Sequence, residues 1–434
     1  MRLLLLQRKR ILCDSPPAHT VHRRCSRLLH MLLLRYRRLW RTLALLAQLS
    51  PMKRQISVIV KPTLFCGMQC KHCYHSAEER GSEYRLSFSL LERLFSLVSA
   101  EYESAWFIWH GGEPLTVGLP FFKKAVALQE QYFGEASHRV GNTVQTNGLL
   151  LDRKFEEFCR KKRINIGISC EGPLEDVLRE DSEKVNRSVD RLIAKGHKFS
   201  VGCTICRETQ SDQKRLYRYF RDKGINISFS PVIPAGGAAD DKTLVPDADA
   251  YIRSSIEAYD EWLTDADSKV PLIPHYLYVL SALGEQVPSD CAHSSCLTKW
   301  ICMYPNGDLY PCAKGCPKEF RLCNISEIEN ISDAFTTDGF RHILEGTIER
   351  REKCKDCNLF PYCNGGCSID AFYEKGIGEK DGDSCRIFRE VFTHVKTSID
   401  DIMKTKPDLS AYNGFVRDAV LGRLVNPDII NNLK

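Results

Sequence analysis

The chain has 434 residues, 43% of them hydrophobic, enough for one large core and a second smaller one, so a soluble protein of two domains is expected. Its net charge of +6 is uneven: residues 1–51 hold eleven Arg and Lys side chains against one acid, Asp14, which leaves residues 52–434 at −4 and gives no ground for a nucleic-acid partner. Twenty cysteines in an enzyme-sized chain point to metal ligands in a reducing, cytoplasmic setting and away from a disulfide scaffold.

The segment 1–51, from "MRLLLLQRKR" to "RTLALLAQLS", is rich in Leu and Arg and nearly free of acids, a pattern that suits an organelle presequence or a membrane-surface helix. No run in it approaches the roughly 20 apolar residues of a membrane span, and no membrane partner is expected. The simpler reading is a true start at Met52, directly before "KRQISVIV", the first convincing strand, with the segment disordered or untranslated.

From there the chain alternates β-rich runs with amphipathic stretches. The runs are 55–60, 105–110, 141–146, 164–169, 198–205 and 225–233; helical patterns fill 89–102, 119–133 and 152–163 between them. Such alternation implies parallel strands joined by right-handed crossovers, and six units make an α/β partial barrel, (β/α)6, over 52–240 where a full TIM barrel has eight. Chemistry in this architecture sits on loops after the C-terminal ends of strands. "CGMQCKHC" follows strand one, "GGEP" (111–114) strand two, "TNG" (146–148) strand three and "SCEGP" (169–173) strand four, so all four converge on one mouth. A helical connector is expected over 241–290, a cysteine-rich domain of weak periodicity over 291–390 that needs metal to hold it, and a helical tail over 391–434.

Cys66, Cys70 and Cys73 read C-x3-C-x2-C. Three thiolates on a four-iron cluster leave the fourth iron open to a small molecule, as catalytic zinc sites keep one position open. Structural zinc is the alternative for a short cysteine cluster, but zinc pairs read C-x2-C with a second pair elsewhere. With "GGEP" after the next strand, the pattern resembles the radical S-adenosylmethionine (SAM) enzymes from about Met52 to Cys385. The resemblance implies a [4Fe–4S] cluster on Cys66, Cys70 and Cys73 whose open iron chelates SAM. It also implies that Gly111, Gly112 and Glu113 contact the SAM amino group and Ser169 and Glu171 the ribose, and that one-electron reduction releases a 5′-deoxyadenosyl radical. Two features depart from the family: His72 stands where an aromatic residue is usual, and "LEDVLRE" (174–180) does not reproduce a His/Asp/Arg segment.

Farther on, Cys296 and Cys312 in "CLTKWICMYPNGDLYPC" precede "CKDCNLFPYCNGGC", C-x2-C-x5-C-x3-C, and then Cys385. This constellation resembles the SPASM extension. By that resemblance Cys291, Cys296, Cys312 and Cys367 hold one auxiliary [4Fe–4S] cluster and Cys354, Cys357, Cys363 and Cys385 another, for three clusters in all, both auxiliary ones fully ligated and suited to electron transfer. Cys302, Cys316 and Cys323 lie outside the pattern, and Cys159, Cys170, Cys203 and Cys206 read as core or strand positions.

The whole chain looks most like anaerobic sulfatase-maturating enzymes and related maturases of ribosomally made (RiPP) peptides. In the sulfatase enzymes an aspartate base follows the cysteine of "YPC"; here it is Ala313, and a methyl group takes no proton. The expected function is therefore oxidative cross-linking of a precursor peptide, thioether or carbon–carbon, with formylglycine generation as the alternative and a pure iron–sulfur electron carrier as the reading from another class. A flavodoxin or ferredoxin would supply electrons; the general base is not identified.

Overall fold

The computed structural model describes residues 55–285 and 296–425. The expectations for residues 1–51 and for Cys291 lie outside the described residues.

Six parallel strands appear where the alternation places them: β1 (Gln55–Val60), β2 (Ser104–Trp109), β3 (Val140–Thr146), β4 (Asn165–Ser169), β5 (Phe199–Ile205) and β6 (Asn226–Pro231), paired in sequence order. The crossovers run through α1 (Phe88–Glu101), α2 (Leu119–Phe133), α3 (Arg153–Lys162), α4 (Ser182–Ala194) and α5 (Gln213–Asp222). Ser87 and Asp152 begin α1 and α3 by accepting from Leu90 N and Phe155 N, the usual N-cap arrangement. The core between helices and sheet is aromatic. Phe95 meets Phe107 edge to face at 5.1 Å, and Trp109 meets Phe122 at 5.6 Å, a geometry the ring quadrupoles favour.

The sheet does not stop at six. The connector supplies α6 (Ala248–Thr264), β7 (Leu272–Ile273), which pairs in parallel with β6, and α7 (His275–Ala282). At the other edge β8 (Trp300–Met303) pairs in parallel with β1, then β9 (Asp308–Tyr310) and β10 (Cys323–Asn324) continue antiparallel. The order β10-β9-β8-β1-β2-β3-β4-β5-β6-β7 therefore joins the cysteine-rich region to the partial barrel through backbone hydrogen bonds. Beyond lie α8 (Asp338–Cys354), α9 (Asp383–Thr405) and α10 (Gly414–Val425), with α9 packed on α6 and α7. Among the described residues no helix is long and apolar enough to cross a membrane.

Candidate active site and cysteine clusters

The loop after β1 carries Cys66, Cys70 and Cys73 across the mouth, and neighbouring loops hold its backbone from several sides. Gly112 N donates to Thr63 O at 3.1 Å and Glu113 N to Phe65 O at 2.8 Å. A Cβ on Gly111 would stand 2.2 Å from Thr63 O, and one on Gly112 would stand 2.1 Å from Leu64 O. The glycines of "GGEP" are thus required by the approach of two protein loops, whatever ligand they also admit. A second pair does the same from the end of β6: Gly236 and Gly237 would place a Cβ 2.3 Å from Cys73 O and 2.2 Å from Lys71 O, and Gly237 N donates to Cys73 O at 2.9 Å.

Glu113 is 2% exposed, and its carboxylate ties the "TNG" loop to this cradle. Oε1 accepts from Leu115 N (3.0 Å) and Thr146 Oγ1 (2.8 Å), and Oε2 from Asn147 N (2.8 Å). One acceptor direction on Oε2 is left for a ligand. Burial pushes this carboxyl up to about 7, against the pull of those hydrogen bonds.

Glu171, expected at the ribose, is engaged within the protein. Arg179 Nε donates to its Oε2 at 2.5 Å and Nη2 to its Oε1 at 3.0 Å, while Thr204 N reaches Oε1 at 3.0 Å. The same guanidinium turns Nη1 toward Cys70 Sγ at 3.5 Å and Nη2 toward His72 Nε2 at 3.4 Å. His72 fills the aromatic position as a half-buried neutral ring, desolvation and Arg179 holding it down at about 3, with Nδ1 unpartnered. Ser169 Oγ accepts from Gln145 Nε2 at 3.1 Å. Burial pushes the Cys70 thiol up to about 11; Arg179 pulls it back, and the Cys73 and Cys66 thiols push it up further, so the three sulfurs feel one another. The sequence reading missed Arg179 and the "AGG" turn, although each follows a strand's C-terminal end, the signal that located the other loops.

Lys61, fully buried beyond β1, was also missed. Its Nζ donates to His75 Nε2 at 3.1 Å and to Tyr304 OH at 3.0 Å, tying β1 and the cysteine loop to the β8–β9 turn.

Electrostatic influence links the C-terminal thiols in two further groups. Cys312 acts on Cys296 and Cys367, and also on Cys302 and Cys316. Separately, Cys385 and Cys357 act on Cys354, Cys363 feels Cys385, Cys354 and Cys357, and Cys357 acts on Cys385. A cavity of about 430 Å³ is lined by Cys354, Cys357, Cys363, Cys367 and Cys385 together with Tyr251 of α6 and Tyr278 of α7. Every described cysteine is a free thiol. Among the described residues no three His, Cys, Asp or Glu side chains converge as ligands of one metal ion; the thiolates of a four-iron cluster bind separate irons and have no need to meet at a point. Cys302 and Cys323 are buried strand residues, whereas Cys316 donates to Cys312 O at 3.0 Å. Ala313 is buried, and the adjacent Lys314 pairs with Asp370 at 2.5 Å.

The sequence profile described as "Radical SAM superfamily" matches residues 60–236. A cysteine-type anaerobic sulfatase-maturating enzyme of Clostridium perfringens (strain 13 / Type A) is 24% identical over 332 residues, 72% of this chain and 88% of that protein. Among solved structures, native anSMEcpe with bound AdoMet and Cp18Cys peptide superposes with a TM-score of 0.71 at 22% identity, covering 81% of this chain and 100% of that one. Streptococcus suis SuiB bound to precursor peptide SuiA gives 0.59 at 15% identity, covering 88% and 84%. At these identities the structures speak for the fold. Residues 60–236 are a radical SAM domain, and with the SPASM-like cysteine-rich region that continues its sheet they make this chain a radical SAM oxidoreductase.

Proposed function

We propose that the protein oxidises a side chain of a peptide or protein substrate, and that formylglycine formation on a sulfatase Cys or Ser is the reaction best supported. The observation that carries this is the similarity to sulfatase-maturating enzymes, which spans 88% of the Clostridium perfringens protein and so extends well beyond the barrel. It favours the reaction that the sequence, on the strength of Ala313, set second.

Cys66, Cys70 and Cys73 would hold the [4Fe–4S] cluster that binds SAM. Their fit rests on sulfurs that influence one another, a loop backbone cradled where Cβ atoms would collide, and a guanidinium facing Cys70. When bound, SAM and this cluster supply the 5′-deoxyadenosyl radical that takes a hydrogen atom from substrate. Glu113 would direct its remaining acceptor at the SAM ammonium, and Ser169 would meet the ribose. Glu171 would act on the ribose while held by Arg179. Cys296, Cys312 and Cys367, with Cys291, and Cys354, Cys357, Cys363 and Cys385 would hold two auxiliary clusters that accept the electron left on the substrate. A flavodoxin or ferredoxin would reduce the first cluster.

Cross-linking of a precursor peptide stands as the second reading because of one residue: with Ala313 after Cys312, the substrate proton must go elsewhere. Anaerobically reconstituted, reduced protein with SAM and a sulfatase Cys peptide should yield an aldehyde with loss of the thiol sulfur. Loss of a hydrogen pair from a small peptide encoded beside this gene, with the sulfatase peptide untouched, would instead establish the second reading.

A further inference from the structure

Arg350, just before the last turn of α8, is 2% exposed. Its Nε donates to Gly365 O at 2.8 Å and its Nη2 to Ser368 Oγ at 3.0 Å and Gly366 O at 3.4 Å, while Nη1 donates to Ile377 O. All four partners are neutral, and among the described residues no carboxylate stands within ion-pair distance of it. A buried, unanswered guanidinium is strongly unfavourable. The carbonyl end of α8 supplies at most about half a compensating charge. Arg350 feels the charge of Cys367, Cys354 and Cys296, members of both C-terminal thiol groups, and also that of the neighbouring Arg351, and it lines the same cavity as Cys354 and Cys367.

We infer that Arg350 is a positioning and charge-compensating residue placed between the two auxiliary clusters, holding both reduction potentials up. The inference rests on reading those thiols as cluster ligands. Four thiolates give a four-iron cluster net negative charge that grows on reduction, so a fixed cation beside it favours the reduced form, one of the levers that set such potentials. Arginine suits the position because its planar fork can be pinned by several carbonyls while its charge stays undivided. Loss of that charge makes both clusters harder to reduce, and so poorer acceptors of the substrate electron.

The test uses the full chain, reconstituted anaerobically, with iron and sulfide counted and potentials read by EPR-monitored redox titration, SAM being added to distinguish the signal of the first cluster. Arg350→Met is expected to move both auxiliary potentials to more negative values and to leave the first cluster unmoved; Arg350→Lys, which keeps the charge, is expected to stay near the wild type. Full iron content with unchanged potentials in Arg350→Met, or a shift in one cluster alone, overturns the inference while sparing the cluster reading. If Arg350→Met takes up no auxiliary iron, Arg350→Lys decides: wild-type iron and potentials support the role of charge, and loss in both variants assigns Arg350 to backbone anchoring and overturns it. Wild-type protein that binds iron only at the first site removes the cluster reading itself, and this inference with it.

Discussion

The cysteine loop at the mouth and the C-terminal quartet are both made of closely spaced cysteines, yet they are held differently. Around Cys66–Cys73 the backbone is bonded to distant parts of the chain: Cys66 N to Arg80 O, Lys71 N to Leu178 O, and Gly237 N to Cys73 O. In the quartet the bonds are local, Cys357 N to Cys354 O and Cys363 N to Leu359 O, and the Cys357 side chain is exposed. Long-range bonds and close glycine contacts can set a loop before any ligand arrives. Local turns cannot, and such a segment takes its final geometry from what its thiols bind. The mouth is therefore expected to respond to substitutions in its packing, and the quartet to changes in charge and metal.

The largest effect is expected from Cys70→Ala, which should reduce 5′-deoxyadenosine formation by roughly a thousandfold or more, the scale of removing a group on which the chemistry depends. Iron at the C-terminal thiols should remain. Concerted loss of all iron would mean that the two regions do not load independently. Next comes Arg179→Met, which strands Glu171 in a site where both side chains are nearly inaccessible, at 8% and 1%. Breaking a buried pair from one side costs about 3–5 kcal/mol, readable as a lowered denaturation midpoint. Lys353→Met, at the exposed pair with Glu379 in the cysteine-rich region, should leave that midpoint where it is. Gly112→Ala should cost about 1–3 kcal/mol through overpacking against Leu64 O, whereas Gly67→Ala, with nothing within 4 Å of the added Cβ, should stay within about 0.5 kcal/mol. Equal costs at the two glycines would show that the loop yields and is not preformed.

Much of the mouth was legible in the sequence because strand runs have a strong period and the loops after them fall on one side by topology. The six runs match β1 to β6 to within a few residues. The two sets of C-terminal cysteines came from the resemblance to the SPASM extension, and that assignment leaves out Cys302 and Cys316, which the folded chain also brings under the influence of Cys312. Less legible was anything that depends on a partner distant in the chain. Continuation of the sheet through β8 needs Trp300–Met303 to meet Ser57–Val60, and four residues carry no sign of that pairing. Arg179 looks like one more surface arginine in "LEDVLRED" until Glu171, 1% exposed, is found beneath it. Gly111 and Gly112 were read as making room for a ligand, whereas the nearest obstacle to a side chain is the cysteine loop itself. Ala313 was visible, but its weight was not, because one missing carboxylate is silent about which other group takes a proton.

The smallest expected effect concerns Glu113 and separates packing from ligand binding at the mouth. Burial raises this carboxyl to about 7, so in the unliganded fold its protonated form is preferred. Its contribution to stability is then fullest below the ordinary carboxyl value of about 4.5 and is lost as pH rises through 7. A bound ammonium reverses that preference, since it needs the carboxylate. The affinity of the reconstituted protein for SAM, followed by the perturbation of the cluster spectrum, should therefore fall toward tenfold per pH unit below about pH 7 and level off above it. Glu113→Gln should bind weakly with no such slope, because an amide does not ionise. Should the wild type show a flat profile from pH 8 to pH 6, Glu113 would belong with the glycines beside it, as a tie between the "TNG" loop and the cysteine loop, and the SAM ammonium would have to find its acceptor elsewhere in the mouth.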